Sequence, residues 1–152
     1  MSQDKDNRAI IREYLHQLWD AGRPDLGELA DRFIAPGFVG RTVGMPVVEG
    51  RDGYKRMLTM VTAAFPNAEF TVEDLIAEGD RVVVRWSLRA THRRDLMGIA
   101  ATGRRVEMTG AIIYRMAGGQ VQEWWEHQDL LGMLQQLGAL PAPPAEATPS
   151  AD

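Results

Sequence analysis

The stretch GGQVQEWWEHQDLL, running from Gly118 to Leu131, decides how this chain reads. Gly118 and Gly119 mark a tight hairpin turn. Behind them, Gln120 to Gln128 reads as a strand carrying Trp124, Trp125, Glu126 and His127. Asp129 stands where a helix cap belongs, ahead of a short leucine-rich helix that ends at Gly138. An acid and an imidazole beside large aromatic faces can form one wall of a small-molecule pocket. An ordinary sheet edge would use the same residues. Strand alternation puts Gln122, Trp124 and Glu126 on one face and Val121, Glu123, Trp125 and His127 on the other. Each face holds a tryptophan and an acid, so the pattern alone does not choose the inward one.

Upstream of this stretch the period is two. Phe70 to Ala77 reads as a strand, Glu78-Gly79-Asp80 as a tight turn, and Arg81 to His92 as the longest strand. Val82, Val84, Trp86, Leu88 and Ala90 share one face of that strand, with Arg85, Ser87 and Arg89 on the other. A loop containing Arg93, Arg94, Asp95 and Gly103 leads into the strand Arg105 to Met116. There Val106, Met108, Gly110, Ile112 and Tyr114 share a face.

Before Pro66 the period is helical. Ile10, Ile11, Tyr14, Leu15, Leu18 and Trp19 form one stripe of a helix over residues 7 to 19, which Gly22 and Pro24 end. Asp25 with Glu28 is a capping-box pattern opening a second helix that buries Leu26, Leu29, Phe33 and Ile34. Pro36 and Gly37 stop it. A β segment runs through Phe38 to Val48. Gly50 and Gly53 open a third helix, with Tyr54, Met57, Leu58, Val61 and Phe65 inward, closed by Pro66 and Asn67.

The bulk numbers narrow the classes of function. At 152 residues the chain reads as one domain over residues 1–138, long enough to fold without staples. A net charge of -4 argues against nucleic acid as a partner. With no cysteine there is no thiolate nucleophile and no zinc-cysteine site, which fits a cytoplasmic protein. The start is polar and unlike a signal peptide, and no apolar run approaches a membrane span. Residues 139–152, rich in proline and alanine, read as a disordered tail.

Three helices followed by a meander of strands predict an α+β fold. Its bent antiparallel sheet forms a cone, and the helices of the N-terminal half cover the concave face. The interior of such a cone is a plausible ligand cavity. The chain resembles the SnoaL-like polyketide cyclases of the nuclear transport factor 2-like superfamily over about residues 8–138. The ordered signals are Glu49-Gly50, Ala64-Phe65-Pro66-Asn67 and Ala77-Glu78-Gly79-Asp80-Arg81-Val82, then Val84-Arg85-Trp86 and Thr91-His92. Thr102-Gly103-Arg104, Ile113-Tyr114-Arg115, Glu123 with Trp125 and Asp129, and Leu134 to Gly138 complete the series. The resemblance implies a cofactor-free enzyme of lyase or isomerase type acting on an apolar oxygenated substrate. It also admits a non-catalytic binding module, and epoxide hydrolase-like or dehydratase chemistry.

In the cyclases an aspartate after the last-strand tryptophan acts as general acid/base and a histidine on the preceding strand faces it. Those positions fall on Glu126 and Ile112. The carboxylate is kept and the imidazole is lost. Ala90 before Thr91-His92, Arg94 after Arg93 and Ala100-Ala101 before the Thr-Gly-Arg also depart from the family pattern.

The candidate catalytic residues are therefore Glu126, with His127 as its competitor and His92 at the pocket rim. Each has a plainer reading: a solvated glutamate, an interface imidazole, a histidine bonding the loop after it. His16 falls off its helix stripe and reads as solvated. Tyr14, Trp19, Trp86, Met108, Ile112 and Trp124 are expected to line the cavity, since aromatic and thioether groups suit flat polycyclic ligands. Tyr14 and His92 are the candidate hydrogen-bond donors to an enolate oxygen. Asp129 reads as a cap before it reads as an acid. Asp74 shares parity with Phe70, Val72 and Ile76, either as a second pocket acid or beside a strand irregularity. The three histidines are too scattered for a metal triad, so no metal site is expected. Arg85, Arg89, Thr109 and Trp125 on the outer sheet face predict a homodimer.

Overall fold

The computed structural model describes residues 3–19 and 25–144, leaving aside the side chains of residues 3–5. Its elements are α1 (Gln3–Trp19), α2 (Leu26–Phe33), β1 (Ile34–Thr42), β2 (Val48–Glu49), α3 (Gly50–Ala64), β3 (Glu69–Glu78), β4 (Arg81–Thr91), β5 (Arg105–Ala117), β6 (Gln120–Gln128) and α4 (Leu130–Gln136). Gly22, Pro24 and the tail beyond residue 144 lie outside the described residues.

The strands form one six-stranded sheet in the order β2-β1-β6-β5-β4-β3. The fold is α+β, with a mixed sheet. The β1–β6 pair is parallel, which corrects the expectation of a wholly antiparallel sheet. Parallel neighbours need a long connection. The chain between β1 and β6 supplies it, carrying α3 and four strands of the sheet. Sequential antiparallel pairing explains β3 to β6 and the short β1–β2 pair.

Local chemistry sets the ends of the elements. Asp25 accepts hydrogen bonds from the backbone N–H groups of Gly27 and Glu28, which caps α2. That helix runs directly into β1 at Ile34, so Pro36 and Gly37 lie inside a strand instead of stopping a helix. A register shift between Ile34 and Val39 accommodates them, as bulges commonly accommodate proline. Gly118 and Gly119 both have positive φ, at 58° and 77°, the conformation a two-residue hairpin turn requires.

Two bulges decide which side chains face inward. In β6, Glu123 pairs with Arg115 and Val121 with Met116, so Gln122 is the extra residue. Strict alternation therefore fails at Gln122. Val121, fully buried, joins the face of Trp124 and Glu126. In β3 the register shifts between Val72 and Asp74. Asp74 turns outward, where Arg85 Nε donates to Asp74 Oδ2 at 2.6 Å between two exposed side chains. The strand-irregularity reading of Asp74 is the one the structure carries.

The core lies between the sheet and α1, α2 and α3. It includes Ile11, Leu15, Leu29, Phe33, Phe38, Leu58, Val82, Val84 and Val106. The inward sets expected for β4 and β5 are buried, with Gly110 partly so. Asp129 caps α4 by accepting from the Gly132 N–H at 3.0 Å. No helix among the described residues is long and apolar enough to cross a membrane.

Candidate functional site

A cavity of about 420 Å³ opens between the sheet and the helices. Tyr14, Trp19, Trp86, Met108, Ile112 and Trp124, the expected lining residues, all border it, and so does Glu126. Tyr54, Tyr114, Thr42 and Gln128 add polar groups to it, and Glu49 and Arg56 border it as well.

Glu126 is placed by three strands. It pairs with Ile112 across β5 and with Thr42 across β1. Thr42 Oγ1 donates to Glu126 Oε2 at 3.0 Å, and the Trp86 indole lies near enough to favour the charged carboxyl. Trp86 reaches it because Gly110 lies opposite on β5. A Cβ at Gly110 would come within 2.7 Å of Trp86 Cε2, so only glycine lets the indole lie across that strand. Burial among these apolar walls raises the Glu126 pKa to about 7, against Thr42 and Trp86, which pull it down. A carboxyl titrating there can take a proton or return one near neutral pH.

Facing it are phenols. The hydroxyls of Tyr14 and Tyr54 hydrogen-bond each other in the core. Burial pushes both of these phenols, and that of Tyr114, above their usual range. They therefore stay neutral and act as donors, not bases. Two hydroxyls sharing one hydrogen bond leave one O–H proton unspent. All three phenols border the same cavity as Glu126, whose negative charge helps raise the pKa of Tyr14 and Tyr114. The Trp124 indole N–H is buried with no partner among the described residues, ringed edge-on by Phe38, Tyr54 and Tyr114.

The structure does not bring the two other candidate catalytic residues here. His92 is fully buried, but in the base of the loop that follows β4. Its Nδ1 accepts from the Thr102 N–H at 3.2 Å, and its ring packs against Phe65. The loop-bonding reading accounts for these contacts. His127 lies on the other face of β6, opposite Ala111, and is exposed. Asp129 is spent on its helix. Asp74, Glu126 and His92 do not converge. Among the described residues no three His, Cys, Asp or Glu side chains gather as a metal site.

Sequence reasoning missed Thr42, because a parallel pairing across most of the chain leaves no local signature. Tyr54 and Tyr114 were legible as inward residues, but their hydroxyls were not assigned.

A six-stranded mixed sheet under helices, with a partly buried carboxyl facing an aromatic cavity, defines an α+β fold built around an apolar pocket. The chain belongs to the SnoaL-like polyketide cyclase family, whose sequence profile matches residues 9–137. It is similar to a protein of Jannaschia sp. CCS1 assigned as a SnoaL-like polyketide cyclase, with 26% identity and a TM-score of 0.79 over 93% of this chain and 98% of that one. A protein of Acidithiobacillus ferrooxidans assigned as a polyketide cyclase is 33% identical, with a TM-score of 0.75 over 91% of this chain and 99% of that one. AclR of Streptomyces galilaeus, assigned as a hydroxylase, is 27% identical, with a TM-score of 0.78 over 93% of this chain and 87% of that one. No curated protein matches the chain.

Proposed function

We propose that the protein is a cofactor-free enzyme that moves a proton on an apolar, oxygenated, polyketide-like substrate, with Glu126 as general acid/base. The observation that carries this reading is the Glu126 carboxyl, held by Thr42 beside the Trp86 indole in an aromatic cavity, with a pKa of about 7. Ionised Glu126 removes a proton next to a substrate carbonyl. The spare O–H proton of the Tyr14–Tyr54 pair is available to the enolate oxygen that develops. Protonated Glu126 then returns the proton at another carbon, which shifts a double bond. If the enolate carbon instead attacks a second carbonyl, a ring closes and the proton goes to the new alkoxide.

Ile112 bears on the choice between these outcomes. The imidazole of the family pattern would sit directly across from the carboxylate, and here that place is aliphatic. A single titrating group therefore serves both proton transfers, which favours isomerisation over aldol closure. Binding without chemistry is the second reading, supported by the same residue. Water attack would need further polar groups around one water, and neither Asp74 nor His92 supplies them.

Deuterium exchange at the α-carbon of 2-tetralone in D2O tests the reading without knowledge of the natural substrate. The wild type should catalyse exchange, and Glu126→Gln should lose roughly 100-fold or more, the scale of a lost general base. Exchange at the wild-type rate by the variant defeats the assignment. Binding of the ketone with no exchange by either protein leaves the binding-module reading.

The assembly we propose is a cytoplasmic homodimer. The outer sheet face carries an apolar row, Ile76, Val83, Ile113 and Trp125, aligned across four paired strands. Arg41 and Arg81 sit over the Trp125 ring at 5.5 and 5.3 Å. Sedimentation of Trp125→Ala beside wild type checks it: the wild type should run as a dimer and the variant should shift toward monomer.

A further inference from the structure

The cavity does not end at the protein surface. Met45, Pro46, Val47 and Met60 border it, and two of these are largely bare: Val47 is 55% exposed and Met60 55%. Val43, just before this segment, is 57% exposed. Large apolar side chains left in water beside the opening of an apolar cavity are unfavourable unless something covers them, and a patch of this kind continuous with a pocket marks a binding groove. Glu49 and Arg56 are the charged groups on this border. The methionines add adaptability, since an unbranched thioether fits varied ligand shapes.

We infer that Met45, Pro46, Val47 and Met60 form an apolar shelf extending the binding site outward, and that the ligand is a long amphiphile. Its oxygenated end lies near Glu126 and its apolar end lies along the shelf. This inference rests on the reading of the Glu126 cavity as the substrate site. The occupant is the ligand itself, because the shelf residues are also walls of the cavity. A short, wholly enclosed substrate would leave Val47 and Met60 uncovered, and a polar one would gain nothing from them.

The 4-alkylphenols from 4-ethylphenol to 4-octylphenol are suitable probes, read by the fluorescence of Trp19, Trp86 and Trp124. Each methylene buried should tighten binding about fourfold. In the wild type the gain should continue through the octyl chain. In the Val47→Ser/Met60→Ser double variant it should stop at shorter chains. The variant should then bind 4-octylphenol at least about tenfold more weakly and 4-ethylphenol within about twofold of wild type. An equal loss for both probes, or no loss for either, overturns the shelf. So does an unchanged octylphenol affinity accompanied by lost binding to phosphatidylcholine vesicles or lost self-association, because the patch would then serve a membrane or a protein. A wild type that binds no alkylphenol at all defeats the cavity reading beneath the inference, an outcome separate from the others.

Discussion

Thr42 and Glu126, 84 residues apart in the chain, are direct partners across the parallel β1–β6 pair, and the Thr42 hydroxyl donates to the Glu126 carboxyl at 3.0 Å. That bond stabilises the charged form and holds the pKa below where burial alone would leave it. Thr42→Val should therefore raise the Glu126 midpoint above 7 by roughly one unit, since a hydrogen bond to a charged group is worth about 1.5–3 kcal/mol and part of it is recovered by solvent. Thr42→Ser should restore it. The carboxyl carbon-13 shift of Glu126 followed against pH reports both.

Stability should depend on pH through the same group. Its folded pKa lies above the unfolded value of 4.5, so the folded state holds the proton longer. The stabilisation is complete below about pH 4.5, falls as the unfolded chain ionises, and is gone once pH passes the folded value near 7. Glu126→Gln has no charge to bury. Its Tm should match wild type near pH 4.5 and exceed it at pH 8 by several degrees, at about 2–4 °C per kcal/mol for a chain of this size. Equal melting temperatures at pH 8 would mean that the carboxyl is solvated.

Gly110 should tolerate no side chain. Gly110→Ala forces Trp86 off the strand, an overpacking change that typically costs about 1–3 kcal/mol. It also takes the Trp86 indole away from the Glu126 carboxyl. Denaturant titration should show the lost stability, and the pH dependence of α-proton exchange should move upward with the freed carboxyl. A variant destabilised with no change in that profile would limit Trp86 to packing.

Tyr14→Phe and Tyr54→Phe should each lower the catalysed exchange rate about tenfold or more at constant ketone affinity, since a hydroxyl donor to the enolate acts in the transition state. Loss of affinity with an unchanged rate would make the phenol pair a ground-state contact.

Asp129 is a cap, and its removal should show it. Asp129→Ala should cost roughly 0.5–2 kcal/mol in stability and leave proton exchange at 2-tetralone near wild type. A rate loss larger than the stability change explains would return Asp129 to the list of acids.

Much of the fold was legible because apolar periods of 2 follow Pro66 and periods of 3.6 mark the three helices before it, and because glycine pairs and aspartate caps punctuate the ends. The lining set was legible for the same reason: Trp86, Met108, Ile112 and Trp124 keep strand parity, while Tyr14 and Trp19 keep helix parity. The two places where parity misled were bulges. At Val72/Asp74 the extra residue turned an apparent pocket acid to solvent, and at Gln122 it carried Val121 inward. A bulge adds one residue without altering composition, so no local pattern announces it. The parallel β1–β6 pair was illegible for a different reason: it joins distant segments with no turn between them to be read.

The bulge at Gln122 gives backbone spacing authority over chemistry. Downstream of it, side chains take turns pointing to the two sides of the sheet. Deleting that one residue leaves two ways to re-pair the hairpin, and in one of them Trp125 and His127 point where Trp124 and Glu126 now do. An imidazole would then replace the carboxyl without any substitution at either position. Sequence length between the glycine turn and the last strand thus works as an address for the acid, and gain or loss of a single codon there is a route by which such a scaffold can exchange one proton carrier for another.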